Sequence, residues 1–115
     1  MKVAIIGSRD FNDYDLLVKT LEELAISLIV SGGAKGADSL AERYAIEHEI
    51  ETLIFKPDYK LYNRGAPLKR NLQIIDASEF VIAFWDGKSR GTKHAIDYAH
   101  SQKKNVINPL SSNPH

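Results

Sequence analysis

The chain opens on an uninterrupted apolar run, Val3-Ala4-Ile5-Ile6, that stops at Gly7-Ser8. A short run of this kind reads as a strand buried on both faces, as in a parallel sheet. Asn12 or Asp13 is placed to cap a helix whose apolar positions Leu16, Leu17, Leu21, Leu24 and Ala25 recur at helical spacing. Ser27 to Val30 is a second apolar run, broken at Ser31-Gly32-Gly33, and a helix from about Ala37 to His48 follows, with Leu40, Ala41, Tyr44 and Ala45 as its buried stripe. Thr52 to Phe55 predicts a third strand ended by Pro57. Asp58 to Pro67 reads as a polar loop, Leu68 to Ala77 as a helix, and Phe80 to Trp85 as a strand. After the sharp turn at Asp86-Gly87, a helix over about Thr92 to Gln102 and a strand over Asn105 to Ile107 complete the pattern. The domain closes at about residue 108, and Asn108 to His115 reads as a frayed tail, 109–115 lying wholly outside the domain.

Strand and helix thus alternate four times before a closing strand. That alternation predicts an α/β fold: a Rossmann-like three-layer sandwich with a parallel five-stranded sheet, order 3-2-1-4-5, and helices on both faces. Ligands of open α/β sheets bind outside the carboxyl ends of the strands at the switch point, here between the first and fourth strands.

Length and composition narrow the picture. The 115 residues fit one domain, and a hydrophobic content of 43% supports a real core. Lys plus Arg and Asp plus Glu both number 15, a balance that argues against general nucleic-acid binding. Cysteine is absent, which removes disulfides, thiolate catalysis and cysteine-based zinc sites. The apolar run at the N-terminus is too short for a signal segment and is followed by Arg9, and no stretch approaches the roughly 18 apolar residues of a membrane span. The expectation is a cytoplasmic protein with no membrane partner.

Three strand-to-helix turns fall on the predicted ligand edge: Gly7-Ser8-Arg9, Ser31-Gly32-Gly33-Ala34-Lys35-Gly36-Ala37-Asp38, and Asp86-Gly87-Lys88-Ser89-Arg90-Gly91-Thr92. Each combines small residues, hydroxyls and a cation. Glycine lets backbone approach a ligand, and unpaired N–H groups at a helix start favour an anion. Neither the P-loop nor the dinucleotide G-x-G-x-x-G pattern is present. Ser31 is a candidate hydroxyl donor to phosphate. Asp38 reads equally as a helix-start carboxylate or as an acceptor for ribose hydroxyls, and Asp86 shares the second role. Ser89 and Thr92 serve as caps, as phosphate contacts, or as both. Trp85 or Tyr62 is a candidate base contact, with core packing the alternative for Trp85. Arg9 and the Arg70-Asn71 pair bring planar cationic and amide groups to the same edge. The four histidines have no metal-site spacing, and no Ser-His-Asp order is recognisable, so no metal is expected.

Taken in order, Gly7-Ser8-Arg9-Asp10-Phe11, the Ser31–Asp38 turn, Lys69-Arg70-Asn71 and Trp85–Thr92 resemble the YspA-like group of the SLOG superfamily, which joins the Smf/DprA DNA-processing proteins and the LOG cytokinin-activating enzymes. The resemblance runs from Met1 to about Ile107. It implies a Rossmann-like fold and a site for a nucleotide or nucleotide-derived, ADP-ribose-like ligand, acting as sensor or carrier and requiring no further cofactor. Carried onto this chain, that site comprises Gly7, Ser8 and Arg9; Ser31, Gly32 and Gly33; Gly36, Ala37 and Asp38; Arg70 and Asn71; and Ser89 to Thr92. A nucleotide-like small molecule is the implied partner, and self-association as a homodimer is common in such families.

The alternative is an enzyme. LOG proteins hydrolyse the N-glycosidic bond of a nucleoside monophosphate with an arginine and a glutamate. Arg70 matches the arginine and is the candidate catalytic residue, but the glutamate position, two residues after the Gly91-Thr92 pair, holds His94. An oxocarbenium-like centre calls for a carboxylate, which leaves Asp86 or Asp97 as substitutes. Single-stranded nucleic-acid binding, the Smf/DprA activity, is a third class disfavoured by the neutral charge and the absence of an aromatic platform.

Overall fold

The computed structural model describes residues 1–110. Five parallel strands form one sheet: β1 (Lys2–Gly7), β2 (Leu28–Ser31), β3 (Glu51–Ile54), β4 (Phe80–Phe84) and β5 (Asn105–Ile107), in the order β3-β2-β1-β4-β5. The register sets Ile5 beside Ile82 and Gly7 beside Phe84 on one side, and Val3 beside Ile29 on the other. Parallel pairing demands crossovers. They are made by α1 (Tyr14–Leu21), α2 (Ala37–Glu47), α4 (Ala66–Asp76) and α5 (Arg90–Ser101), with a four-residue helix α3 (Tyr59–Tyr62) before α4.

Alternation along the central strand explains both layers. Val3 and Ile5 face α1 and α2 and pack with Leu17, Leu21, Ala41 and Tyr44. Ala4 and Ile6 face α4 and α5 and pack with Ile74, Ile75, Ala95 and Ala99. Burying a side chain such as Ile5 or Leu17 completely contributes about 1.5–3 kcal/mol. Among the described residues no helix is long and apolar enough to cross a membrane.

The order 3-2-1-4-5 and the layering agree with the sequence reading; several boundaries do not. The first helix ends at Leu21, and Ala25 is exposed beyond it. Asp13 is its cap, accepting from the Leu16 amide at 3.0 Å. The segment read as the loop Asp58–Pro67 is largely helical: Asp58 caps α3 by accepting from the Leu61 amide, a single 3-10 turn spans Asn63–Gly65, and α4 begins at Ala66 with Pro67 in its first turn. Proline there loses no helix hydrogen bond and supplies the right φ. β3 runs over Glu51–Ile54, one residue earlier than the predicted Thr52–Phe55, and is an edge strand with Thr52 and Leu53 exposed.

Asn108, read as the start of a frayed tail, is tied to the sheet. Its Oδ1 accepts from the Trp85 amide at 3.2 Å, and its Nδ2 donates to the Trp85 carbonyl at 3.2 Å. A side-chain amide here pairs with backbone as a neighbouring strand residue would. Pro109 and Leu110 follow in a turn; the remainder of the predicted tail, 111–115, lies outside the described residues.

Candidate functional site

The carboxyl edge of β1 carries no side chain at Gly7, and the fold uses that absence. A Cβ there would lie 2.7 Å from the Phe84 carbonyl and 2.8 Å from the Ala37 Cβ, so glycine admits the start of α2 against β1 and β4. Gly36, with φ +79°, precedes α2; a Cβ on it would meet the Ser8 carbonyl at 2.3 Å and the Arg9 carbonyl at 2.6 Å. The first and second turns are therefore in backbone contact. The first and third are joined at Ser8, whose amide donates to the Phe84 carbonyl at 3.1 Å and whose Oγ accepts from the Asp86 amide at 3.3 Å.

Asp38 organises the second turn. Its Oδ2 accepts from the amides of Gly32 (3.1 Å) and Ala34 (3.2 Å), winding the glycine segment back over the first turn of α2. Burial pushes the Asp38 carboxyl above the usual range, opposed by the Ala34 amide, the Arg70 charge and the Gly32 amide. Oδ1 makes no hydrogen bond among the described residues. Gly36 offers no side-chain cap to α2, so the amides at this helix start, Ala37 and Asp38 among them, have no acceptor among the described residues.

Arg70 and Asn71, in the second turn of α4, span the gap to the third turn. Arg70 Nη1 donates to the Gly32 carbonyl at 2.8 Å and its Nε to Asn71 Oδ1 at 2.9 Å; Asn71 Nδ2 donates to the Gly91 carbonyl at 3.4 Å. Burial lowers the Arg70 pKa, with the Asp38 charge opposing and the Arg9 charge adding to the fall. No ion pair joins Arg70 to Asp38. At the third turn Ser89 caps α5, its Oγ accepting from the Thr92 amide at 3.4 Å and lying 3.0 Å from Thr92 Oγ1. The amides of Arg90 and Gly91 have no acceptor among the described residues.

These elements enclose a cleft of about 220 Å³ lined by Gly7, Arg9, Ala34, Asp38, Arg70, Asn71, Ser89, Gly91 and Thr92, over an apolar floor of Ile6, Pro67, Ile74 and Ala95. The turns after β1, β2 and β4 thus converge on one space at the switch point. Arg9 is exposed, and its guanidinium makes no hydrogen bond or ion pair among the described residues.

Other predicted positions lie elsewhere. Ser31 is fully buried, and its Oγ has no partner among the described residues. Strand alternation turns it with Ile29 toward α2, beneath the turn and away from the cleft. Gly36 and Ala37 pack against the first turn. Gly32 and Gly33 line an adjoining depression, and Ser8 and Asp86 another. Trp85 lines neither cleft nor depression: its Nε1 donates to the Ser89 carbonyl at 2.9 Å, bracing the third turn from below. Tyr62 is covered by the Lys69 ammonium, 5.5 Å from its ring centre. His94 is exposed on α5 outside the cleft. Asp86 caps its own turn by accepting from the Lys88 and Ser89 amides, which lowers its pKa, and Asp97 pairs with Lys93 at 2.8 Å. Asp38 is the one carboxylate among the cleft-lining residues.

Sequence reasoning passed over Ala34, Lys56, Tyr59 and Pro67. Tyr59 and Pro67 come from the segment whose helical turns the sequence did not show, for which the Asp58 cap three residues before Leu61 was the available signal; Lys56 lies just ahead of it, after β3.

The fold agrees with comparisons to known proteins. Across 118 aligned residues the chain is 32% identical to the Gene 61 protein of Mycobacterium phage D29, covering 93% of this chain and 94% of that protein. The DNA processing protein A (DprA) of Streptococcus pneumoniae superposes with a TM-score of 0.78 at 21% identity, covering 98% of this chain. The chain spans about half, 52%, of that longer protein. DprA of Helicobacter pylori, described in a structure of its single-stranded DNA binding mode, superposes with a TM-score of 0.74 at 27% identity, covering 98% of this chain and 67% of that one. The model of the YspA, cpYpsA-related SLOG family matches residues 1–62, the segment that holds the Gly7–Arg9 and Ser31–Asp38 turns, and the chain belongs to that family.

Proposed function

We propose that the cleft binds the phosphate of a nucleotide or nucleotide-derived small molecule. The observation that carries this reading is the unpaired Arg9 guanidinium beside the unpaired amides of two helix starts. Helix-start N–H groups and an arginine fork are complementary to phosphate oxygens. A phosphate there would offset the Arg9 charge that disfavours the charged form of Arg70. Asp38 Oδ1 is the acceptor available to a ribose hydroxyl.

Binding rather than hydrolysis is the better-supported activity. The carboxylate at the cleft is already engaged in holding Gly32 and Ala34, and His94 stands outside it. Reaction at a ribose centre needs a carboxylate directed at developing positive charge, and only Asp38 Oδ1 is a candidate for that. The enzyme remains the alternative, with Arg70 and Asp38 as its residues.

Single-stranded nucleic acid is a second reading, favoured by the likeness to H. pylori DprA. The exposed cations Arg9, Lys56 and Lys88 near the cleft are compatible with a strand, and the overall charge balance is not a general attractor for one.

A thermal-shift panel of AMP, ADP, ADP-ribose, NAD and a single-stranded oligonucleotide separates these readings. Occupancy at a hundred times the dissociation constant stabilises the fold by about 2.7 kcal/mol. A small nucleotide that raises the melting temperature of the wild type and not of Arg9→Ala supports the proposal. A response to the oligonucleotide alone, steeply weakened by salt, supports the strand reading instead.

A further inference from the structure

A cleft of about 220 Å³ is small for an entire nucleotide, since pockets that hold drug-sized ligands run roughly 300–1,000 Å³. A ligand anchored there by phosphate must extend into one of its neighbours. Two depressions adjoin it, and Arg9 lines all three spaces.

Their chemistry differs. The depression on the β4 side, about 440 Å³, is formed by Ser8, Asp10, Asp86, Lys88 and Ser89 together with Arg9. It has two carboxylates and no aromatic ring. The depression on the β3 side, about 420 Å³, shares Arg9, Ala34, Pro67 and Arg70 with the cleft and adds Gly32, Gly33, Lys56, Pro57 and Tyr59. It has no carboxylate. Its floor is glycine backbone, and the Lys56 stem lies along that floor, with Cε 3.8 Å from the position a Gly33 Cβ would take. Tyr59 leads α3, is 58% exposed, and its hydroxyl makes no hydrogen bond among the described residues. The Asp58 cap, accepting from the Leu61 amide at 3.1 Å, fixes the backbone that presents it.

From this juxtaposition we infer that the β3-side depression is the subsite for the heteroaromatic base of a free nucleotide, with Tyr59 as its stacking surface, Pro57 and Pro67 as apolar walls and Lys56 at the rim. The inference rests on phosphate binding in the cleft. An aromatic face with neighbouring cations accepts any base by its π surface, so the subsite distinguishes base from no base more strongly than one base from another. The β4-side depression, where Asp10 and Asp86 are balanced by Arg9 and Lys88, has no ring surface for a base and offers acceptors to hydroxyls.

Calorimetric titration of the wild type, Arg9→Ala, Tyr59→Ala and Tyr59→Phe with AMP and with ribose 5-phosphate tests the assignment. The wild type is expected to bind AMP about tenfold more tightly than ribose 5-phosphate, within the range that stacking on an aromatic ring supplies. Tyr59→Ala is expected to bring the two affinities together by weakening AMP alone, Tyr59→Phe to preserve the preference, and Arg9→Ala to weaken both. An AMP preference unchanged in Tyr59→Ala, with both probes still bound, overturns the base subsite and leaves phosphate binding standing. Failure of the wild type to bind either probe overturns both. Dependence on Tyr59 for a short oligo-dA strand but not for AMP overturns the free-nucleotide assignment. Tyr59 is exposed, so unchanged melting temperatures of its variants establish that the comparison is between folded proteins.

Discussion

Arg70 occupies the space that a side chain at Gly32 would need: a Cβ on Gly32 would stand 2.4 Å from Nη1, which donates to the Gly32 carbonyl at 2.8 Å. The glycine and the arginine therefore form one unit. Through Nε and Asn71 the same side chain reaches the Gly91 carbonyl, so α4 fixes the separation of the turns after β2 and β4. Arg70 serves as a strut as well as a lining cation.

Replacing Arg70 by alanine leaves a part-buried carbonyl without its donor, at a cost of about 1–3 kcal/mol. The expected result is a melting temperature lowered by about 4 °C for each kcal/mol, together with weaker nucleotide binding. Arg70→Lys is expected to recover little of either, because a lysine lacks the fork that reaches Gly32 and Asn71 together. Full recovery of both by lysine, measured by differential scanning calorimetry and titration, would show that charge alone is required.

Gly36 and Gly87 both have positive φ, +79° and +84°, but a Cβ at 36 meets the Ser8 and Arg9 carbonyls and one at 87 meets nothing within 4 Å. Gly36 also has ψ −128°, a backbone conformation that essentially only glycine adopts. Gly87→Ala is expected to cost about 1 kcal/mol. Gly36→Ala combines backbone strain with the clash and is expected to cost more, or to prevent folding. Equal unfolding midpoints in urea would contradict the close approach of the first two turns.

The buried Asp38 carboxyl has a pKa raised by desolvation. The folded protein thus holds that proton more tightly than the unfolded chain, and this contribution to stability is full below the ordinary carboxylate pKa and is lost as pH rises through the folded value. Asp38→Asn keeps an oxygen acceptor for Gly32 and Ala34 and removes the titration. Its stability relative to the wild type is expected to improve as pH rises from about 4 through the raised value. A wild-type-minus-Asn difference that is flat over that range, by denaturant titration at several pH values, would contradict the assignment.

The layering, the strand order and the meeting of three turns on one edge were legible in the sequence because periodicity and glycine punctuation reflect local backbone requirements. Val3–Ile6 reads as a doubly covered strand for that reason, and Asn12 or Asp13 as a cap, a choice the structure makes for Asp13. What was not legible depends on directions in space. Ser31 belongs to the right turn but points with Ile29 beneath α2. Trp85, read as the last residue of its strand, lies just past β4, which ends at Phe84, and its ring N–H faces the Ser89 carbonyl. Asp38 is at the cleft as expected, but its carboxylate holds the turn's own amides. Tyr59 was hidden because its four-residue helix is too short to show a period, and Asn108 because a side-chain amide imitating a strand neighbour has no sequence pattern.

Amide chemical-shift perturbation during titration with ADP shows whether the turns after β2 and β4 grip a single anion. The Asp38 and Gly91 amide resonances are expected to shift together along one saturation curve, and Arg9→Ala is expected to weaken both curves by the same factor. Shifts confined to one of the two turns, or two amides saturating with different dissociation constants, would contradict a single shared anion.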